Sequence, residues 1–325
     1  MQPQQGPRQQ ISRRRVVRTV RGDIEASELG VTDAHEHLFF VSPIQPGDEY
    51  SEMAPSIAEA RTLVEAGVRS LVDWTPLGLG QNLAGLLRVS EATGLHVVAA
   101  TGVHRSAHYP EDDRLRSESA ERLTERFVAD ITASDVRAGI VKVGASYHHL
   151  ASFERKVFAA AGEAHRRTGV PVCVHTEHGT MGLDLVGHLG AVGVAPSSVI
   201  LAHLDRNPDA GELAEIASTG AWVELDGPGR TKYSPDSTII SLIEKLAEVG
   251  CSSCLLLGGD IGRRSMMRAY GGGPGLDYLF AKFKPRLERE LGIEISREIF
   301  VENPARAFAF QPPDSFASTT SANVA

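Results

Sequence analysis

The first residues able to do chemistry are His35-Glu36-His37. Residues i and i+2 of a β-strand face the same side, so two neutral imidazoles at that spacing project together and make half of a metal site. Two histidines can equally be ordinary polar residues at a strand end. Further polar residues, however, stand at the ends of other apolar runs: Lys142 between Val141 and Val143, His175 after Val174, His203 after Ala202, and Asp260 after Gly258-Gly259. A lysine in a run covered on both faces is costly unless it is paired or chemically altered. Treating each as a separately satisfied polar group needs an independent reason at every strand end. A single shared, metal-dependent site accounts for all of them.

The elements that must position these residues are eight short β-rich runs: Gly30–Leu38, Ser70–Pro76, His96–His104, Ala138–Ser146, Pro171–Gly179, Val199–Arg206, Ala221–Gly229 and Cys254–Arg263. Their ends lie 23 to 42 residues apart, the length of a βαβ unit. Amphipathic stretches lie between them, such as Phe153, Val157, Ala161 and Ala164 at helical spacing. Eight such units predict an α/β fold, a closed (β/α)8 TIM barrel whose chemistry gathers where strands end and βα loops begin. A doubly wound open sheet is the competitor, but no Gly-x-Gly-x-x-Gly follows the first run.

The chain has 325 residues, 42% hydrophobic and 23% charged, a balance that excludes a disordered, collagenous or disulfide-scaffold protein. Its net charge of −8 argues against a nucleic-acid or anionic-membrane partner. No stretch approaches the about 18 to 20 uninterrupted apolar residues of a membrane helix. A soluble, cytoplasmic protein is therefore expected. Residues 1–18 carry five arginines, no acid and no apolar signal-type segment, and read as a basic disordered tail. Residues 19–310 read as one catalytic domain and 311–325 as a second tail. Cys173, Cys251 and Cys254 lack the partners of a zinc site and read as buried thiols. Asn303-Pro304 reads as an N-cap with proline at N1, opening a short final helix.

Three segments together resemble the phosphotriesterase family of the amidohydrolase superfamily: Thr32-Asp33-Ala34-His35-Glu36-His37-Leu38, Ala138-Gly139-Ile140-Val141-Lys142-Val143 and Asn303-Pro304-Ala305-Arg306. The resemblance runs from about Val17 to Phe310. It implies a binuclear metal-dependent hydrolase, with His35, His37 and Asp260 on one divalent metal and His175 and His203 on the second. It also implies that Lys142, carbamylated by carbon dioxide, bridges the two. Carbamylation turns a cation into an anionic two-oxygen ligand, and burial helps by favouring the neutral amine. Zinc suits mixed imidazole and oxygen donors best, with manganese or cobalt as alternatives. Asp260 is the expected catalytic acid/base, able to take the proton of the attacking water and pass it to the leaving group. A homodimer is what the family suggests.

The family contains phosphotriester hydrolases and lactonases. Phosphotriester-cutting members carry a histidine just after an aspartate at the seventh strand, where this chain reads Leu225-Asp226-Gly227. Opening of a lactone, of an anionic or phosphorylated sugar, is therefore the leading expectation, and phosphotriester or other ester hydrolysis the alternative. Lys232 and Arg263 are similar in placement to phosphate-binding residues of the sugar-lactone group, with Arg230 and Arg264 nearby; Met266 departs from a tyrosine expected there. Arg264 can equally make a rim salt bridge and Met266 simply pack. His104, His108, Tyr147, His148 and His149 are candidates for the substrate side. From other classes, a Schiff-base lyase using Lys142 would leave the His pair without a task, and a metal-dependent scaffold would leave the general base without one.

Overall fold

Each apolar run becomes a parallel strand because both faces are covered, by helices outside and by neighbouring strands' side chains within. The computed structural model describes residues 15–313. The chain begins with an antiparallel pair, β1 (Val16–Thr19) and β2 (Gly22–Glu25). The eight-stranded parallel sheet then runs in sequence order: β3 (Thr32–Glu36), β4 (Ser70–Asp73), β5 (His96–Val103), β6 (Ile140–Ala145), β7 (Val172–Thr176), β8 (Val199–Ala202), β9 (Trp222–Leu225) and β10 (Leu255–Leu257). It closes on itself where the Gly259 and Asp260 N–H groups both donate to the His35 carbonyl, at 3.1 and 2.8 Å. This is the expected (β/α)8 barrel, and all eight runs supply its strands.

The helices are α1 (Met53–Glu65), α2 (Leu83–Thr93), α3 (Arg114–Ser117), α4 (Ala120–Thr132), α5 (Ser152–Thr168), α6 (Gly182–Ala191), α7 (Ala210–Ser218), α8 (Asp236–Glu248), α9 (Lys284–Leu291), α10 (Ile293–Arg297) and α11 (Asn303–Ala307). Local chemistry sets their ends. Asn82, Ser119 and Asp209 accept N-terminal backbone protons, and α2 and α5 stop at Gly94 and Gly169 in the left-handed conformation. In α4, Leu123, Phe127 and Ile131 recur every four residues and are buried against the sheet. None of the described helices is long and apolar enough to cross a membrane.

The barrel interior is a small cluster of its own. Val72, Val98, Ile140, Cys173, Ile200 and Leu256 fill it, and Val17, Leu29 and Phe308 close its lower end. That plug corrects the N-terminal expectation: residues 16–18 are a strand, not a tail. Arg18 is buried, its guanidinium holding Asp23 at 2.7 Å and donating to the Ile131 carbonyl at 2.8 Å. The arginines at 8, 13 and 14 lie outside the described residues, as does the stretch from 314 onward. Asn303 is also corrected. It is the first residue of α11 rather than its cap, and its buried amide donates to the Ser252 and Leu255 carbonyls, at 2.8 and 2.7 Å, tying the last helix to the start of β10.

Candidate active site

At the C-terminal ends of the strands a cavity of about 210 Å³ is lined by His35, His37, Lys142, His175, His203 and Asp260 together. Two of them arrive there against simple strand alternation. β3 carries a bulge between Asp33 and Glu36, so that Ala34 joins the interior cluster and His35 still stacks on Trp74 of that cluster, ring centroids 3.9 Å apart. His203 directly follows interior-facing Ala202, and alternation would turn it outward. Its φ of +67° swings it back, and Asp260 is likewise left-handed at +45°. Such conformations are costly for non-glycine residues and concentrate at functional sites.

The imidazoles are aimed by what holds their Nδ1. His37 Nδ1–H donates to Thr75 Oγ1 at 2.8 Å, His35 Nδ1–H to Glu224 Oε2 at 3.3 Å, and His203 Nδ1–H to Asp226. Each pairing leaves Nε2 with its lone pair free. His35 Nε2 is buried without a hydrogen-bond partner and lies 3.5 Å from Asp260 Oδ1, which is 3.3 Å from His37 Nε2. Ligand atoms of these three residues all fall within 4.8 Å of one another. His203 comes within the same distance of His35 and Asp226, but Asp226 already accepts the His203 proton and so supports rather than completes a ligand set. The His175 ring packs 4.4 Å from that of His203, with its Nε2 turned to Glu177 at 2.7 Å, so its Nδ1 carries the available lone pair.

Burial holds the imidazoles of His35 and His175 well below their usual pKa and takes His203 down to about 4, so all three are neutral near pH 7. Lys142 is fully buried, its Nζ 4.3 Å from the Trp74 ring centre; burial lowers its amine to about 8 although Asp260 pulls the other way. Burial would raise Asp260, but Arg230 beside it, with His35 and His37, keeps it well below the carboxylate range. An orphaned buried nitrogen, convergent neutral imidazoles, an ionised carboxylate and a readily deprotonated lysine are the donor set a divalent metal pair needs. These residues fit a metal.

The remaining expected residues divide. His104 is buried on the cavity wall, its ring 4.5 Å from that of His175. Arg230, expected beside the substrate, lines the cavity but sits 2.7 Å from Asp260 Oδ2. Lys232 is exposed on the rim, and Arg263 reaches the rim paired with Asp48 at 3.1 Å. Arg264 pairs with Glu52 at 3.7 Å and Met266 packs against the core, the plainer of their two readings. Tyr147, His148 and His149 line a neighbouring cavity. Sequence reasoning missed Arg206, buried between Asp226 at 3.1 Å and Asp260 at 3.2 Å, and Arg105, 2.9 Å from Glu177. It missed Glu224 too, although a carboxylate between Val223 and Leu225 carries the same signal that singled out Lys142.

Residues 15–308 match the Phosphotriesterase family. The chain belongs to that family. A phospho-furanose lactonase of Mycoplasmopsis synoviae is 32% identical, the match covering 92% of this chain and 93% of that protein. A lactonase of Listeria monocytogenes superposes with a TM-score of 0.86 at 28% identity, over 91% of this chain and 99% of that one. The phosphotriesterase homology protein of Escherichia coli, solved with phosphate in its active site, superposes with a TM-score of 0.81 at 32% identity, over 86% and 99%. As a phosphotriesterase-family member the chain is a hydrolase acting on ester bonds, and the candidate metal-binding groups stand at its barrel mouth.

Proposed function

We propose that this phosphotriesterase-family hydrolase is a binuclear lactonase for small lactones carrying an anionic group, a phosphorylated sugar lactone being the representative substrate. The lining of the cavity carries this reading: apart from Lys142, five cations, Arg105, Arg206, Arg230, Lys232 and Arg263, face only two carboxylates, Glu177 and Asp260, among the described residues. A neutral triester with alkyl or aryl arms needs more apolar wall than Phe40, Ile44 and the Tyr233 ring provide. Phosphotriester hydrolysis is therefore the second reading. The phospho-furanose lactonase and the phosphate-bound relative support an anionic substrate.

Two divalent cations, zinc fitting best and manganese or cobalt next, would be held by His35, His37 and Asp260 and by His175 and His203 around carbamylated Lys142, and when bound they acidify water and polarise the lactone carbonyl. The chain's own groups do the rest. Lys142 loses a proton easily enough to form the N–C bond with carbon dioxide. Arg206 and Arg230 grip Asp260 Oδ2, which leaves Oδ1 to take the proton of the attacking water and return it to the alkoxide of the opened ring. Lys232 and Arg263 hold the anion at the rim, and His104 packs against His175.

Metal analysis with a substrate panel tests this. Near two metals per chain and hydrolysis of anionic lactones are expected. A charge-assisted contact is worth about 1.5 to 3 kcal/mol, so Lys232→Ala or Arg263→Ala should raise KM for anionic lactones roughly 10- to 100-fold with kcat little changed. Neutral lactones should respond far less. Full activity in metal-free protein would overturn the metal reading, and a paraoxon-like triester cut faster than any lactone would reverse the two substrate readings. Borohydride trapping of a carbonyl substrate on Lys142 would instead establish the Schiff-base alternative.

A further inference from the structure

Beside the catalytic cavity lies a second one, of about 940 Å³, whose own residues the proposed chemistry does not use. The two share Arg105, Glu177 and Arg206 and so adjoin along these three residues. Backbone strain marks it as built. Among the described residues five non-glycines have φ in the left-handed region; two are His203 and Asp260, and the other three, His148, His178 and Met181, all line this second cavity. The loops bearing them are cross-braced, the His148 N–H donating to Thr180 Oγ1 at 3.2 Å.

Its chemistry contrasts with that of the catalytic cavity. Arg105 and Arg206 are balanced by Glu177 and Glu212, so the wall does not select for charge. Glu212 and Asn207 bond each other at 2.8 Å and keep further lone pairs and a proton for a ligand. Tyr147 is 57% exposed, braced edge-on by His148 at 4.4 Å and by His178 at 5.9 Å between ring centres. An exposed aromatic ring beside carboxylate and amide groups suits a neutral polyhydroxylated ring, whose C–H face packs on the aromatic while its hydroxyls bond the polar groups.

We propose that this cavity is a second substrate subsite, which takes a neutral glycosyl group attached to the lactone. The inference rests on the lactonase reading and extends it: the anionic group lies toward Lys232 and Arg263, and the glycosyl ring toward Tyr147 and Glu212. Two measurements test it. The first compares maltobionolactone with gluconolactone, two neutral lactones differing by one glucosyl ring. The second is saturation-transfer NMR with methyl α-glucoside, which needs no turnover. Maltobionolactone should show about tenfold higher kcat/KM, mainly through KM, and that ratio should fall to within about twofold in Tyr147→Ala and Glu212→Gln. Methyl α-glucoside should receive saturation from the parent protein and lose it in Tyr147→Ala. Equal kcat/KM for the two lactones and no saturation transfer would overturn the subsite, as would a phenyl-substituted lactone outperforming the glucosyl one. If no lactone is hydrolysed, the lactonase reading fails and the methyl α-glucoside signal alone decides the subsite.

Discussion

His35, His37 and His203 hand their Nδ1 protons to three different acceptors, Glu224, Thr75 and Asp226, which leaves three Nε2 lone pairs free on the lining of one cavity. Lys142 is the costly residue in that arrangement. Its amine titrates near 8 in the fold against 10.5 in an unfolded chain, so between those values the unfolded state binds the extra proton. The stability of metal-free protein should therefore rise with pH from about 8 to about 10.5 on its account, with the full cost felt below 8. Lys142→Met should stabilise metal-free protein at pH 7 by roughly 2 to 3 kcal/mol in urea unfolding, remove that alkaline rise, and abolish binuclear metal loading. A destabilised variant at pH 7 would show that the amine is already satisfied.

Between elements, the loop from β3 to α1 and the segment after β10 are tied together by Asp48. Its carboxylate accepts from the Ser265 N–H at 2.8 Å and pairs with Arg263 at 3.1 Å, and its carbonyl accepts from the Arg264 N–H at 2.9 Å. The clamp fixes where Arg263 stands on the rim. Asp48→Asn keeps the backbone contact and an amide oxygen for Ser265 while removing the charge that holds Arg263. It should raise KM for an anionic lactone several-fold, with kcat and neutral-lactone turnover nearly unchanged. A lowered KM would mean that Asp48 competes with the substrate for Arg263 instead of placing it. Gly259 shows the same economy of space: a Cβ there would lie 2.0 Å from Glu36 Oε1, so the closure of β10 on β3 requires glycine.

For the molecule as a whole, the barrel mouth concentrates buried carboxylates that the metal-free fold protonates. Burial pushes Asp33 up to about 8 and Asp205 to about 7, and raises Glu36 and Glu224 well above the usual range. Groups whose folded pKa is raised contribute stability that is full below their unfolded pKa and lost as pH rises through the folded value. Below about pH 6.5 the buried histidines that the fold keeps neutral, among them His35, His175 and His203, oppose that loss. Metal-free protein should therefore lose stability on balance between about pH 6.5 and pH 8, then regain some as Lys142 reverses the slope. The expected result is a minimum of Tm near pH 8 in chelator. Divalent metal should raise Tm, since it binds the native state alone, and most of all near that minimum. A monotonic Tm profile from pH 5 to 10 in chelator would contradict this account.

Hydrophobic runs about one βα unit apart were enough to reveal the eight strands, because burial on both faces forces a composition that local sequence displays. The polar residues ending those runs were legible for the same reason: His35, His37, Lys142 and Asp260 interrupt apolar stretches where a polar side chain needs a partner. Residues 16–18 were misread as tail because the partners of the Arg18 guanidinium, Asp23 and the Ile131 carbonyl, are joined to it only by folding. Asn303 was misread because its acceptors belong to a segment about 50 residues earlier. Only tertiary structure decided that a bulge in β3 turns His35 inward, that a left-handed backbone returns His203 to the cavity, and that Arg206 and Arg230 converge on Asp260. A chain's hydrophobic period records which face an element buries, whereas the partners of a buried charge are set by closure of the barrel, which brings residues hundreds of positions apart within a few ångströms.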